Sequence, residues 1–415
     1  RTVALALCCA GSAAHAQGLP TAKPEEVGLS AAALGRIAPM MQGYVDSGRI
    51  GGAVALVARR GRVAYVQSVG MADIASGRAM TPNALFRIAS MTKPVTAVAI
   101  MRLIEDGEIR LDDPVSKFIP RFADVRVYAG GGAAHPALEA PRRPITIQDL
   151  LTHTAGMTYG FFGNSSVDSI YLASGIVMNP AITIEQFADS LAHLPLLFSP
   201  GERWNYSVAL DVLGRVVEVA SGMPFDRYLD ERIFKPLRMT ETSFHVAPAL
   251  RPRMVTVYTR RGDGRLAGGG DVEPIYADGR FLSGGGGLVS TVADYLRFAQ
   301  MLVAGGTLDG ARILKPETVA LMRRNCLPGT MRLSRAIAGQ SGYGFGLGGA
   351  VLVDSGAPAG GAPGLFRWAG AFNTYFWIDP KNELVGMIWT QVWPFRPFPL
   401  EAQFQRLVYD AVDKP

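Results

Sequence analysis

The chain has 415 residues, 48% of them hydrophobic and 18% charged. That is enough apolar material for a large core and too much for a disordered chain. Its net charge of +6 is scattered in single residues and pairs such as Arg59-Arg60 and Arg142-Arg143, so no basic run points to nucleic acid.

The first segment, residues 1–16, has the pattern of a secretory leader. An apolar run from Val3 to Ala10 precedes Ala14-His15-Ala16, a small-residue cleavage site. Its removal would leave Cys326 as the sole cysteine, exclude an internal disulfide, and place the protein in the periplasm or outside the cell. No later apolar stretch reaches membrane-spanning length without a Gly or a charge, so no stable membrane insertion is expected.

Ser30 predicts a helix start, with the helix running to about Asp46 and closed by Gly48. Two strand-like runs follow, Ala53 to Ala58 and Arg62 to Val69, joined by Arg59-Arg60-Gly61 as a hairpin. From about Thr81 the texture changes to helices and long loops. Val95 to Glu105 is apolar nearly all round, which predicts a buried helix. Thr146 to Asp149 and Thr183 to Gln186 are capping boxes, and a helix is expected from Val208 to Ala220. After the run Gly284 to Gly287, Thr291 starts another helix. Short strands are expected at Leu365 to Gly370, Asn373 to Ile378 and Leu384 to Thr390, and a last helix at Leu400 to Val412. Strands at both chain ends imply one α/β (α+β) sheet domain made of residues 17–80 and 283–415. A mostly helical domain, 81–282, is inserted between them.

Ser90-Met91-Thr92-Lys93 stands at the head of the buried helix. Residues three apart share a helix face, so Lys93 reaches the Ser90 hydroxyl. A helix N-terminus offers free N–H groups and positive potential to a developing oxyanion. Burial of a lysine lowers its pKa and makes it a base. Taken alone, the same four residues also read as a helix cap followed by a solvated lysine. No Gly-x-Ser-x-Gly elbow is present. His153, at a helix end, reads as a capping and packing residue. No His-x-x-x-His or Cys pair suggests a metal, and no cofactor is implied. Gly344 to Gly349 fits G-x-G-x-x-G, but no acidic ribose partner follows, so it reads as a glycine-rich strand.

In the order Phe86 to Lys93, Leu150 to Gly156, Ser199 to Ser207, Gly284 to Thr291 and the closing strands and helix, the mature chain resembles the serine β-lactamase/penicillin-binding-protein superfamily. It is most similar to class C β-lactamases, DD-peptidases and family VIII carboxylesterases. The resemblance implies a β-lactamase/DD-peptidase-like fold, an antiparallel sheet flanked by helices plus the inserted helical domain. It implies Ser90 as nucleophile, with Lys93 and Tyr206 exchanging its proton. Which of the two is the base stays open, as does an ordinary packing role for Tyr206. It further implies an oxyanion hole from the N–H groups of Ser90 and Ala371.

Two family positions differ. The Asn of the family's Tyr-x-Asn motif is Val208 here, and the Lys-Thr/Ser-Gly strand is Trp368-Ala369-Gly370. A cleft that has lost these polar groups should suit an apolar ester better than an anionic peptide or β-lactam. The expectation is therefore a carboxylesterase for small or apolar esters, working through a Ser90 acyl-enzyme. An acyltransferase, a slow-turnover penicillin-binding protein, and a β-lactamase or D-amino-acid peptidase are the alternatives. Substrate contacts are expected from Trp368, Ala369, Gly370, Val208, Tyr159 and Phe161. The segment Met157 to Met178, which holds the last two, reads either as a loop over the cleft or as an Ω-loop packed on itself. The partner is a small-molecule ester; the oligomeric state is left open.

Overall fold

The computed structural model describes residues 19–269, 279–329, 331, 333, 341–354 and 359–413. The leader reading, 1–16, lies outside them. Eight antiparallel strands form the main sheet. In spatial order they are Tyr343–Phe345, Ala350–Leu352, Phe366–Gly370, Thr374–Asp379, Leu384–Trp389, Gly52–Arg59, Arg62–Asp73 and Arg78–Ala79. The two chain ends meet at the centre, where Val54 pairs with Trp389 and Arg59 with Leu384.

The sheet is covered on both faces. Every residue of Gly52–Arg59 is buried, as the unbroken apolar run requires. Neighbouring residues of a strand point to opposite faces. Phe376 packs on Tyr295 of the helix Val292–Val303, and Trp377 packs on Phe404 of the helix Leu400–Asp410. The two helices therefore sandwich the sheet. Gly386 pairs with Trp377 because a side chain there would run into the indole.

Both expected capping boxes form, at Thr146/Asp149 and Thr183/Gln186, and Ser165/Asp168 makes a third. The buried helix is Thr92–Glu105, with Pro94 in its first turn, where its missing N–H costs nothing. The glycine-rich stretch near residue 344 is a hairpin of two short strands.

Three local expectations need correction. The N-terminal helix is two pieces, Ala31–Leu34 and Ile37–Asp46, because Gly35 and Arg36 break it. The second strand runs on to Asp73, since Gly70 lets it cross close to Gly51 and Gly52. Within 81–282, residues Val127–Gly132 and His135–Glu139 form a hairpin that the helical texture did not announce. Among the described residues no helix is long and apolar enough to cross a membrane.

Candidate active site

Ser90 lies in a single 3-10 turn, Ala89–Met91, that feeds directly into the helix Thr92–Glu105. Ala89 enters this turn at φ 43°, a left-handed conformation that strains a residue carrying a Cβ. The surroundings hold it there. Ile88 N–H donates to Leu288 O at 3.0 Å, Leu288 N–H donates to Thr92 Oγ1 at 3.1 Å, and the Tyr295 hydroxyl donates to Met91 O at 2.8 Å. From the other side comes the end of the strand Phe366–Gly370. A Cβ on Gly370 would strike Ile88 O and Thr374 Oγ1. Gly370 thus permits close approach of the strand to the serine turn and lines neither cavity described below, in contrast to its expected substrate contact.

Lys93 is fully buried. Its ammonium donates to Ser90 Oγ at 3.1 Å, to the Tyr159 hydroxyl at 2.8 Å and to Gly285 O at 2.6 Å. All three N–H donors of an ammonium are thereby used. Tyr206 joins the group differently: its ring lies over Lys93 Nζ, 4.7 Å from the centroid. The expected Ser90, Lys93 and Tyr206 are therefore brought together, and Tyr159, expected only as a substrate contact, is hydrogen-bonded to Lys93. Tyr159 comes from the loop after the Leu150 to Gly156 segment; its position beside that segment was the available signal.

Tyr206 rests on His153, with ring centroids 4.8 Å apart. His153 is fully buried at φ 57°, its Nδ1 is 3.2 Å from Ser207 Oγ, and its carbonyl accepts the Asn205 N–H. Burial, with the Lys93 charge adding to it, holds the imidazole well below its usual pKa and hence neutral. Its place supports the packing reading and aims the Tyr206 segment.

Two cavities meet at Ser90, Phe162, Tyr206, Ala371 and Trp393. The smaller reaches Trp368, Ala369 and Arg367. The larger, about 540 Å³, is walled by Tyr159, Phe161, Val208, Met178 and Phe281 among others. That size falls in the range that holds a drug-sized apolar ligand. The segment Met157 to Met178 contributes to its wall and carries a short helix, Ser166–Ser174, so the cleft-lining reading of that segment holds. Phe162 and Trp393 were not singled out from sequence. Nor was Asp211, a buried carboxylate that accepts the Gly285 N–H at 2.9 Å. Among the described residues no cluster of His, Cys, Asp and Glu has the arrangement of a metal site.

A family model described as Beta-lactamase matches residues 37–410. The chain belongs to the beta-lactamase family. As a member it is a serine hydrolase with the family's mixed α/β architecture. It is 33% identical to Esterase EstB of Burkholderia gladioli over 381 residues, covering 86% of this chain and 90% of that one. It is 30% identical to the Lovastatin esterase of Penicillium rubens over 370 residues, covering 83% and 90%. Among solved structures it is similar to EstCE1, a hydrolase with promiscuous acyltransferase activity. There the TM-score is 0.78 at 30% identity, and 92% of this chain and 98% of that chain are covered.

Proposed function

We propose that this beta-lactamase-family protein is a carboxylesterase for apolar esters, with Ser90 as nucleophile. The observation that carries this is the position of Ser90. Its hydroxyl is hydrogen-bonded to a buried lysine at the point where two largely apolar cavities join. An ester whose carbonyl sits at that junction has one arm for each cavity.

Ser90 Oγ attacks the carbonyl carbon, and its proton passes to the Lys93/Tyr206 pair, of which Lys93 Nζ is already within hydrogen-bond reach. The oxyanion is received by the N–H groups of Ser90 and Ala371. On collapse the C–O bond to the alcohol breaks, and the alcohol takes a proton from the Lys93/Tyr206 pair. Water then attacks the acyl-Ser90 ester by the same route, releasing acid and free Ser90. Val208, Trp368 and Ala369 present no charge or amide to a substrate carboxylate. This favours esters over β-lactams, and the esterase names of two relatives agree with it.

Short-chain nitrophenyl esters should turn over, and Ser90→Ala should abolish turnover. Intact mass after brief exposure to an activated ester should show one acyl adduct on the Ser90 peptide. Full hydrolysis by Ser90→Ala overturns the reading. A second reading, acyl transfer to an alcohol, rests on the size of the larger cavity, which has room for an acceptor, and on the activity named for EstCE1. It predicts product ester and a faster rate with added alcohol. Export through residues 1–16 is part of the proposal; N-terminal sequencing of protein recovered from a secreting host tests it.

A further inference from the structure

Lys93 is fully buried, and a buried ammonium is costly unless a counter-charge answers it. Tyr159, Ser90 and the Gly285 carbonyl satisfy its hydrogen bonds, yet none of them need be charged. The titratable groups around it come from several elements. Tyr159 comes from the loop after residue 156, His153 from the turn after the helix Ile147–Leu151, and Tyr206 from the approach to the helix Ala209–Ser221. Asp211 comes from the first turn of that last helix. His153 is held neutral. Asp211 remains.

Asp211 is joined to Lys93 through one residue, Gly285. Its Oδ1 accepts the Gly285 N–H at 2.9 Å and the Ser283 hydroxyl, while Gly285 O accepts from Lys93 Nζ at 2.6 Å. The loop is fitted tightly to this purpose. A Cβ on Gly285 would strike the Asp211 carboxylate, and one on Gly284 would strike Leu210 O. The glycine run Gly284 to Gly287 thus lets the loop lie against the helix N-terminus. Burial is the largest influence on the Asp211 carboxyl and leaves it raised above its usual value, although the Lys93 charge and the hydrogen bonds from Ser283 and Gly285 pull it back down.

We propose that Asp211 is the positioning residue and counter-charge for Lys93. It clamps the Ser283–Gly285 loop so that Gly285 O aims the amine at Ser90, and it stabilises the ammonium that forms when Lys93 takes the Ser90 proton. The proposal rests on the esterase reading above. It accounts for a carboxylate in the wall of a largely apolar cavity and for the glycine run at once.

Asp211→Asn keeps the shape and an acceptor oxygen for Gly285 and removes the charge. Two quantities are read across pH: ester hydrolysis, and the rate at which a fluorophosphonate labels Ser90. In the labelling step the Oγ–P bond forms, fluoride leaves, and the proton goes to Lys93. Without its counter-charge the Lys93 ammonium is less stable. The plateau kcat should fall about tenfold or more with KM within about twofold, as for an interaction made chiefly in the transition state. The acid limb of both profiles should move to lower pH by about half a unit or more, because removing a negative charge near a base disfavours the base's protonated form. Ser283→Ala keeps the charge and loosens the clamp; kcat should fall with the acid limb in place. It serves as the second arm if Asp211→Asn does not fold.

Wild-type profiles and wild-type kcat in Asp211→Asn overturn the proposal, as does wild-type kcat in Ser283→Ala. Absence of Ser90 labelling in the wild-type protein sinks the esterase reading itself. Labelling that is identical in wild type and Asp211→Asn sinks only the role of Asp211.

Discussion

Lys93 and Tyr159 are joined by a 2.8 Å hydrogen bond, whereas Lys93 meets Tyr206 through the face of the ring. Two tyrosines thus hold one buried lysine in two different ways. The hydroxyl of Tyr159 fixes the amine. The Tyr206 ring lies over it, at the junction of the cavities.

This difference predicts an order of effects. Tyr159→Phe removes one hydrogen bond to a charged donor, worth about 1.5–3 kcal/mol, and should lower kcat roughly 10- to 100-fold. Tyr206→Phe removes the proposed proton donor to the leaving alcohol and should cost more, within the ~10²–10⁴-fold contributed by general acid–base catalysis. Steady-state kinetics on one nitrophenyl ester decide it. A larger loss in Tyr159→Phe would assign the proton relay to Tyr159 instead.

Gly370→Ala tests the contact between the sheet edge and the serine turn. The new methyl would strike Ile88 O and Thr374 Oγ1, so the strand must retreat from Ser90. Overpacking of this kind typically costs about 1–3 kcal/mol. Thermal unfolding should show that loss, and kcat should fall with it, because Ala371 follows on the same strand end. Unchanged activity together with an unchanged melting temperature would show that the strand accommodates the methyl.

His153 should make stability depend on pH on the acid side of neutrality. Its folded pKa lies well below the unfolded value of 6.5 because the ring is buried near the Lys93 charge. Below that unfolded value the unfolded chain binds a proton that the folded chain refuses. Stability therefore falls as pH drops through and below 6.5, and recovers above it. In denaturant titrations between about pH 7.5 and 5, His153→Phe should flatten this slope relative to wild type. An identical slope in the variant would assign the acid sensitivity to other groups.

The sequence determined the local framework. Helix caps at Thr146 and Thr183, the first hairpin and the buried helix after Ser90 follow from short-range patterns, and each forms where those patterns put it, though the hairpin's second strand runs on to Asp73 and the helix begins at Thr92. The spacing of Ser90 and Lys93 likewise fixed their contact, because residues three apart on a helix must meet. Short-range patterns are blind to what comes from elsewhere in the chain. Tyr159 and the Gly285 carbonyl reach Lys93 across 66 and 192 positions, and Asp211, 118 positions on, is linked to it through Gly285, by subtraction of their residue numbers; only packing of the helix Ala209–Ser221 and the glycine loop decides that they converge. The same holds for Gly370: its residue type was legible, but its purpose depends on a carbonyl more than two hundred residues earlier, at Ile88. Lys93 itself was named from its neighbours on a helix, and the tertiary structure decided what a buried amine requires, three acceptors and a nearby carboxylate, because burial removes it from bulk solvent.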